Sequence, residues 1–166
     1  MIERRPSRGS AAPGPDVERR VFVRALPHRV WTTLHDPGLA ARLLPELSFR
    51  TVDPTWPAAG SVRLGEAHLG LLRADVRIES LEIHPDAAFR LLVTATAFSI
   101  EWGWRLEPIF GGTRVVHDGT FELHDRWAGI LVKLGRESAG ALAESHLRAL
   151  KQHAEEGWSE ATGPAA

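Results

Sequence analysis

The chain has 166 residues, 43% of them hydrophobic and 25% charged, with 20 basic against 21 acidic groups and a net charge of −1. That length suffices for one domain that withdraws roughly 70% of its unfolded surface from water, and the balanced charge carries no electrostatic footprint for nucleic acid. Cysteine and tyrosine are absent, which excludes disulfides, thiolate metal sites, cysteine nucleophiles and phenol chemistry, and agrees with a reducing, cytoplasmic setting.

Residues 1 to 16 read as a flexible tail: Arg4, Arg5 and Arg8 are followed by Ser-Ala-Ala-Pro-Gly-Pro rather than by an apolar signal core. Val17 to Ala25 is rich in β-branched residues and predicts a strand, which Leu26-Pro27 turns into a short helix ending at Asp36-Pro37. Asp36 is placed to cap a second short helix that runs to about Leu44. Strands follow at Leu47 to Val52, Ser61 to Leu69, Leu71 to Ile83 and Phe89 to Thr96, separated by Asp53-Pro54, Gly70 and His84-Pro85-Asp86. Phe98 to Leu106 alternates with Phe98, Ile100, Trp102, Trp104 and Leu106 on one face. Pro108 and Gly111-Gly112 mark a hairpin, after which Arg114 to His124 sets Val115, His117, Gly119 and Phe121 on one face.

Asp125 is a good N-cap for a final helix to about Glu156. Its apolar positions change direction between Trp127 to Leu134 and Leu142 to Ala154, so the spacing predicts a kink or break across Gly135 and Gly140. Residues 157 to 166 read as a second tail, and no stretch reaches the roughly 18 apolar residues of a membrane helix, so no integral membrane segment is expected. The fold class is α+β: a curved antiparallel sheet of about seven strands, two short helices after the first strand and a long C-terminal helix.

Three stretches carry a resemblance over residues 17 to 156. They are Val21-Phe22-Val23-Arg24-Ala25 with Pro27 and Val30-Trp31, then Trp104 to Pro108 with Gly111-Gly112-Thr113-Arg114-Val115, then Leu147-Arg148-Ala149-Leu150-Lys151. In these the chain resembles the START-like SRPBCC superfamily, which includes the birch pollen allergen family and the polyketide cyclases. The resemblance implies a helix-grip fold with a cavity between sheet and terminal helix for a small hydrophobic molecule, and in some members cyclisation or dehydration. It equally admits an interaction module of the chaperone-activating or coenzyme Q-associated kind, and both a monomer and a homodimer.

Alternation selects the polar groups that face such a cavity. His117 falls among the indoles of Trp102 and Trp104, and the parity of Val62 and Leu64 turns Glu66 and His68 inward as well. These three are the candidate acid-base residues, an imidazole with ordinary pKa near 6.5 being suited to proton transfer at neutral pH. Trp31, Trp102, Trp104, Phe121 and Leu131 are the candidate ligand-binding side chains, with His146 beside Leu142 and Leu150 on the final helix, and Arg63 or Arg114 would steady an enolate if either points inward. His28 and His35, on a short helix, are expected at the surface. No histidine pair has metal-ligand spacing and no glycine-rich phosphate loop follows a strand, so neither a metal nor a cofactor is expected.

Overall fold

In the computed structural model the described residues are 15–36, 47–69, 72–96, 98–124 and 128–156. The alternating segments form the strands β1 (Val17–Val23), β2 (Leu47–Val52), β3 (Val62–Leu69), β4 (Leu72–His84), β5 (Ala88–Thr94), β6 (Phe98–Ile109) and β7 (Gly112–Leu123). Helix α1 (Pro27–His35) follows β1, and helix α2 (Ala128–Glu156) follows β7. The second short helix, both tails beyond residues 15 and 156, Trp127 and the side chain of Leu131 lie outside the described residues.

All seven strands form one curved antiparallel sheet in the order β1-β7-β6-β5-β4-β3-β2. Five of its six pairings join consecutive strands; the sixth brings β1 beside β7, with Val17 opposite Gly119 and Val23 opposite Thr113. The hairpin between β6 and β7 turns at Gly111, whose φ of 80° is the left-handed backbone that glycine adopts without a Cβ penalty. β6 continues through Pro108 to Ile109, beyond the point where the sequence places the turn.

Helix α2 lies across β1 and β7 on the inner face. Its buried positions Ala139, Ala143, His146, Leu147, Leu150 and Ala154 recur at three- and four-residue steps, one helical stripe. Polar ties fix its course along β1: Arg19 Nε bonds Glu144 at 2.9 Å, Lys151 Nζ bonds the Phe22 carbonyl at 2.7 Å, and Glu155 accepts the Arg24 backbone N–H at 2.7 Å.

Two expectations are corrected here. Of the kink or break expected in the terminal helix, the break is absent: one α-helical ladder runs through Gly135 and Gly140. Glycine costs a helix about 1 kcal/mol relative to alanine, a sum that packing of the neighbouring turns offsets. At Gly140 it also leaves room, since a Cβ there would stand 3.1 Å from the Arg19 guanidinium.

The second correction is to the parity of β3. Leu64 is 47% exposed, whereas Gly65 and Ala67 are buried and pair with the inward Val76 and with Ala74 of β4. Arg63, Gly65 and Ala67 therefore face the interior, and Glu66 and His68 face out. Period-two alternation groups residues by face but does not say which face is covered.

Candidate functional site

The interior face carries a continuous file of rings. His117, on β7 directly opposite Trp104 of β6, is fully buried and lies against both neighbouring indoles. Its ring centroid stands 4.2 Å from Trp104 at an interplanar angle of 16° and 4.8 Å from Trp102 at 29°. Gly119 makes the second contact possible, because a Cβ there would fall 2.5 Å from the Trp102 ring.

Hydrogen bonding fixes the tautomers. His117 Nδ1 lies 2.8 Å from the Gly103 carbonyl, which only accepts, so Nδ1 carries the hydrogen and Nε2 is bare. Nε2 faces His146 Nδ1 at 3.4 Å, so the His146 nitrogen donates the hydrogen between the two rings. His146, buried on α2, also meets Trp102 edge-on at 6.1 Å. Burial pushes the His117 imidazole down to about 3, with the nearby His146 adding to the fall and the Gly103 bond opposing it. His117 is thus neutral at physiological pH, with both nitrogens engaged.

From Trp104 the file continues through Phe89, stacked on it at 5.7 Å, to His35 at 4.8 Å, Trp31 at 6.4 Å and Trp56 at 6.3 Å. His35 is therefore an interior residue, contrary to the surface position expected for it, while its helix partner His28 is exposed and faces Asp86. Arg63 closes the file, its guanidinium carbon 4.0 Å from the Trp56 ring centroid and 4.9 Å from that of Phe49. Burial lowers Arg63 to about 10, which leaves it cationic at neutral pH.

The structure thus brings together His117, Trp102, Trp104 and His146, and joins Trp31 to them through Phe89 and Trp104. Phe121 sits further along β7, stacked on Phe98 at 5.9 Å. Glu66 and His68 do not join the set. On the outer face Glu66 takes Arg50 at 2.8 Å and His68 at 3.1 Å, and Arg114 pairs outside with Glu107 at 3.2 Å. A shallow depression of about 380 Å³ bordered by Arg50, Leu64, Asp75 and Arg77 also belongs to that outer side.

Sequence reasoning missed His35, Trp56 and Phe89. The i, i+4 spacing of Trp31 and His35, which puts both on one side of α1, was the available signal for the first. No group of three potential ligand side chains that could hold a metal occurs among the described residues.

A sheet wrapped on a terminal helix, with aromatic rings and imidazoles on the gripped face, defines a helix-grip protein. Residues 15–155 match the family model for polyketide cyclase / dehydrase and lipid transport proteins, and the chain belongs to that family. Solved structures share the fold. TTHA0849 of Thermus thermophilus has 21% identity and a TM-score of 0.69, with 85% of this chain and 97% of that one covered. The ZhuI aromatase/cyclase of Streptomyces sp. R1128 has 20% identity and a TM-score of 0.66, covering 89% and 98%. Ara h 8.0201 has 13% identity and a TM-score of 0.61, covering 84% and 96%. No curated protein matches the sequence.

Proposed function

We propose that this chain encloses a small apolar or aromatic molecule between the inner face of the sheet and α2. The supporting observation is the His117–His146 pair set among indoles. Two buried imidazoles carry a desolvation cost that an all-apolar core avoids, and such groups concentrate where a ligand or a reaction needs them. The family, whose members include lipid-transport proteins and cyclases, agrees with this reading. A soluble cytoplasmic protein is part of it; among the described residues no helix is long and apolar enough to cross a membrane.

The test is titration of the folded chain with N-phenyl-1-naphthylamine, a neutral apolar fluorophore, alongside native mass spectrometry of protein purified from its own host. Saturable one-to-one binding with energy transfer from tryptophan is expected. A folded protein that neither binds the probe nor carries a co-purified molecule refutes the reading and favours an interaction module.

Cyclisation or dehydration by acid-base catalysis is the second reading, and the order of hydrogens along the same pair favours it. With both His117 nitrogens engaged, Nδ1–H by the Gly103 carbonyl and Nε2 by His146 Nδ1, the acid-base role falls to the His146 imidazole. His117 then acts as a positioning residue that fixes the tautomer of its partner. With a ligand identified as above, His146→Gln is expected to abolish turnover while affinity stays within about threefold, a loss confined to proton transfer. Unchanged turnover removes this reading and leaves the binding one intact.

A further inference from the structure

At the far end of the ring file lie two buried side-chain atoms that have no hydrogen-bond partner among the described residues, Arg63 Nε and His35 Nε2. No carboxylate of the described residues pairs with Arg63. Elsewhere the arginines of this chain find acids readily, as Arg19, Arg50 and Arg90 do. A cation turned inward onto Trp56 and Phe49, away from every such acid, is an arrangement that a bound anion completes.

The two orphan atoms are complementary. His35 Nδ1 lies 3.0 Å from the Trp31 carbonyl, which only accepts, so the hydrogen is on Nδ1 and the buried Nε2 offers a lone pair. Arg63 Nε offers an N–H. Rings connect them without a gap, from His35 to Phe89 at 4.8 Å, Phe89 to Trp56 at 6.3 Å and Trp56 to Arg63 at 4.0 Å. The charge of Arg63 also reaches His35, where it reinforces the larger effect of burial in keeping the ring neutral.

Resting on the interior-ligand reading above, we propose that Arg63 and His35 bind the carboxylic acid end of an aromatic or alicyclic molecule. The acid's carbonyl oxygen accepts from Arg63 Nε–H and its hydroxyl donates to His35 Nε2. Passing that hydrogen to His35 gives a carboxylate between guanidinium and imidazolium from the same atoms, with no oxidant or further reactant. A ketone answers only Arg63, and an amine answers neither charge nor donor. Trp31, Trp56 and Phe89 supply the flat apolar walls that favour a ring next to the acid.

Two probes of one shape decide the matter: 2-naphthoic acid and 2-acetonaphthone, which has a methyl in place of the hydroxyl. Titrated into the full chain, the acid is expected to bind about tenfold or more tightly, the size of one charge-assisted hydrogen bond. The preference should vanish in Arg63→Gln and persist in Arg114→Gln, whose guanidinium lies outside. Equal binding of acid and ketone, or a preference that survives in Arg63→Gln, overturns the acid site while leaving the interior-ligand reading in place; binding of neither probe sinks both. Should Arg63→Gln fail to fold, the parent chain serves. Its arginine Nε–H resonances in nitrogen-15 spectra should show one signal moved by the acid and not by the ketone, and no movement overturns the assignment.

Discussion

His117 and His35 sit on the same inner face, each against aromatic rings, and they have opposite hydrogen-bond states. His117 is sealed, with Gly103 on one nitrogen and His146 on the other. His35 has Trp31 on one nitrogen and, among the described residues, nothing on the other. A buried ring whose two nitrogens are both met by protein is locked in one tautomer, whereas one with a nitrogen left unmet costs the fold stability and has a position that a bound group can complete.

Substitution by phenylalanine should separate the two. His117→Phe keeps a ring between the tryptophans but orphans the Gly103 carbonyl and His146 Nδ1. It is expected to cost about 3 kcal/mol in urea unfolding, the sum of two buried groups left unpaired. His35→Phe removes the unpaired Nε2 together with one bond to the Trp31 carbonyl, so the gain and the loss largely offset and the change should stay within about 1 kcal/mol. Equal losses at both positions would erase the contrast.

Acid acts on the sealed site in the same sense. The His117 imidazole is held near 3 in the fold against 6.5 when unfolded. Between those values the unfolded chain binds the extra proton, so the stabilisation is complete above pH 6.5 and is lost as pH falls toward 3. The slope approaches about 1.4 kcal/mol per pH unit at its steepest. Unfolding curves between pH 7 and 4.5 should show this fall in the parent and a flatter one in His117→Phe.

Gly119→Ala probes the packing around the same ring. A methyl placed 2.5 Å from the Trp102 ring forces the indole to move, with an expected cost of about 1–3 kcal/mol. Glu66→Gln should do least. Its ion pairs with Arg50 and His68 lie on the outer face, so a change below about 0.5 kcal/mol in stability is expected, with no change in probe binding.

Element order was legible because the chain's punctuation is strong: Pro27, Asp53-Pro54, His84-Pro85 and Gly111-Gly112 all fall at or near element ends. The Trp102, Trp104 and His117 cluster was legible for a different reason. β6 and β7 pair in a hairpin whose register follows from the turn, and both alternate strongly. β3 misled because Val62 and Leu64 are apolar yet half-buried or exposed, while Arg63 goes inward by laying its planar head on Trp56. The His117–His146 bond was only half visible. Helical spacing put His146 on the stripe with Leu142 and Leu150, but the rotation of α2 about its axis is set by ties to β1, more than a hundred residues away in sequence. The pairing of two orphan atoms at Arg63 and His35 lay beyond any local pattern, since it joins α1 to β3 through Phe89 of β5 and Trp56 of a loop.

The neighbourhood of β1 and β7 has a consequence for how the chain is made. Val17 meets its partner Gly119 only after about a hundred further residues have been synthesised, and α2, which covers the inner face, comes later still. On the ribosome the first strand waits unpaired and the indoles of β6 stay uncovered until the last segment emerges. Such long-range closure slows folding and lengthens the interval in which sticky surface is open to other chains. Premature stops before residue 128 should therefore yield aggregating fragments rather than a smaller folded protein.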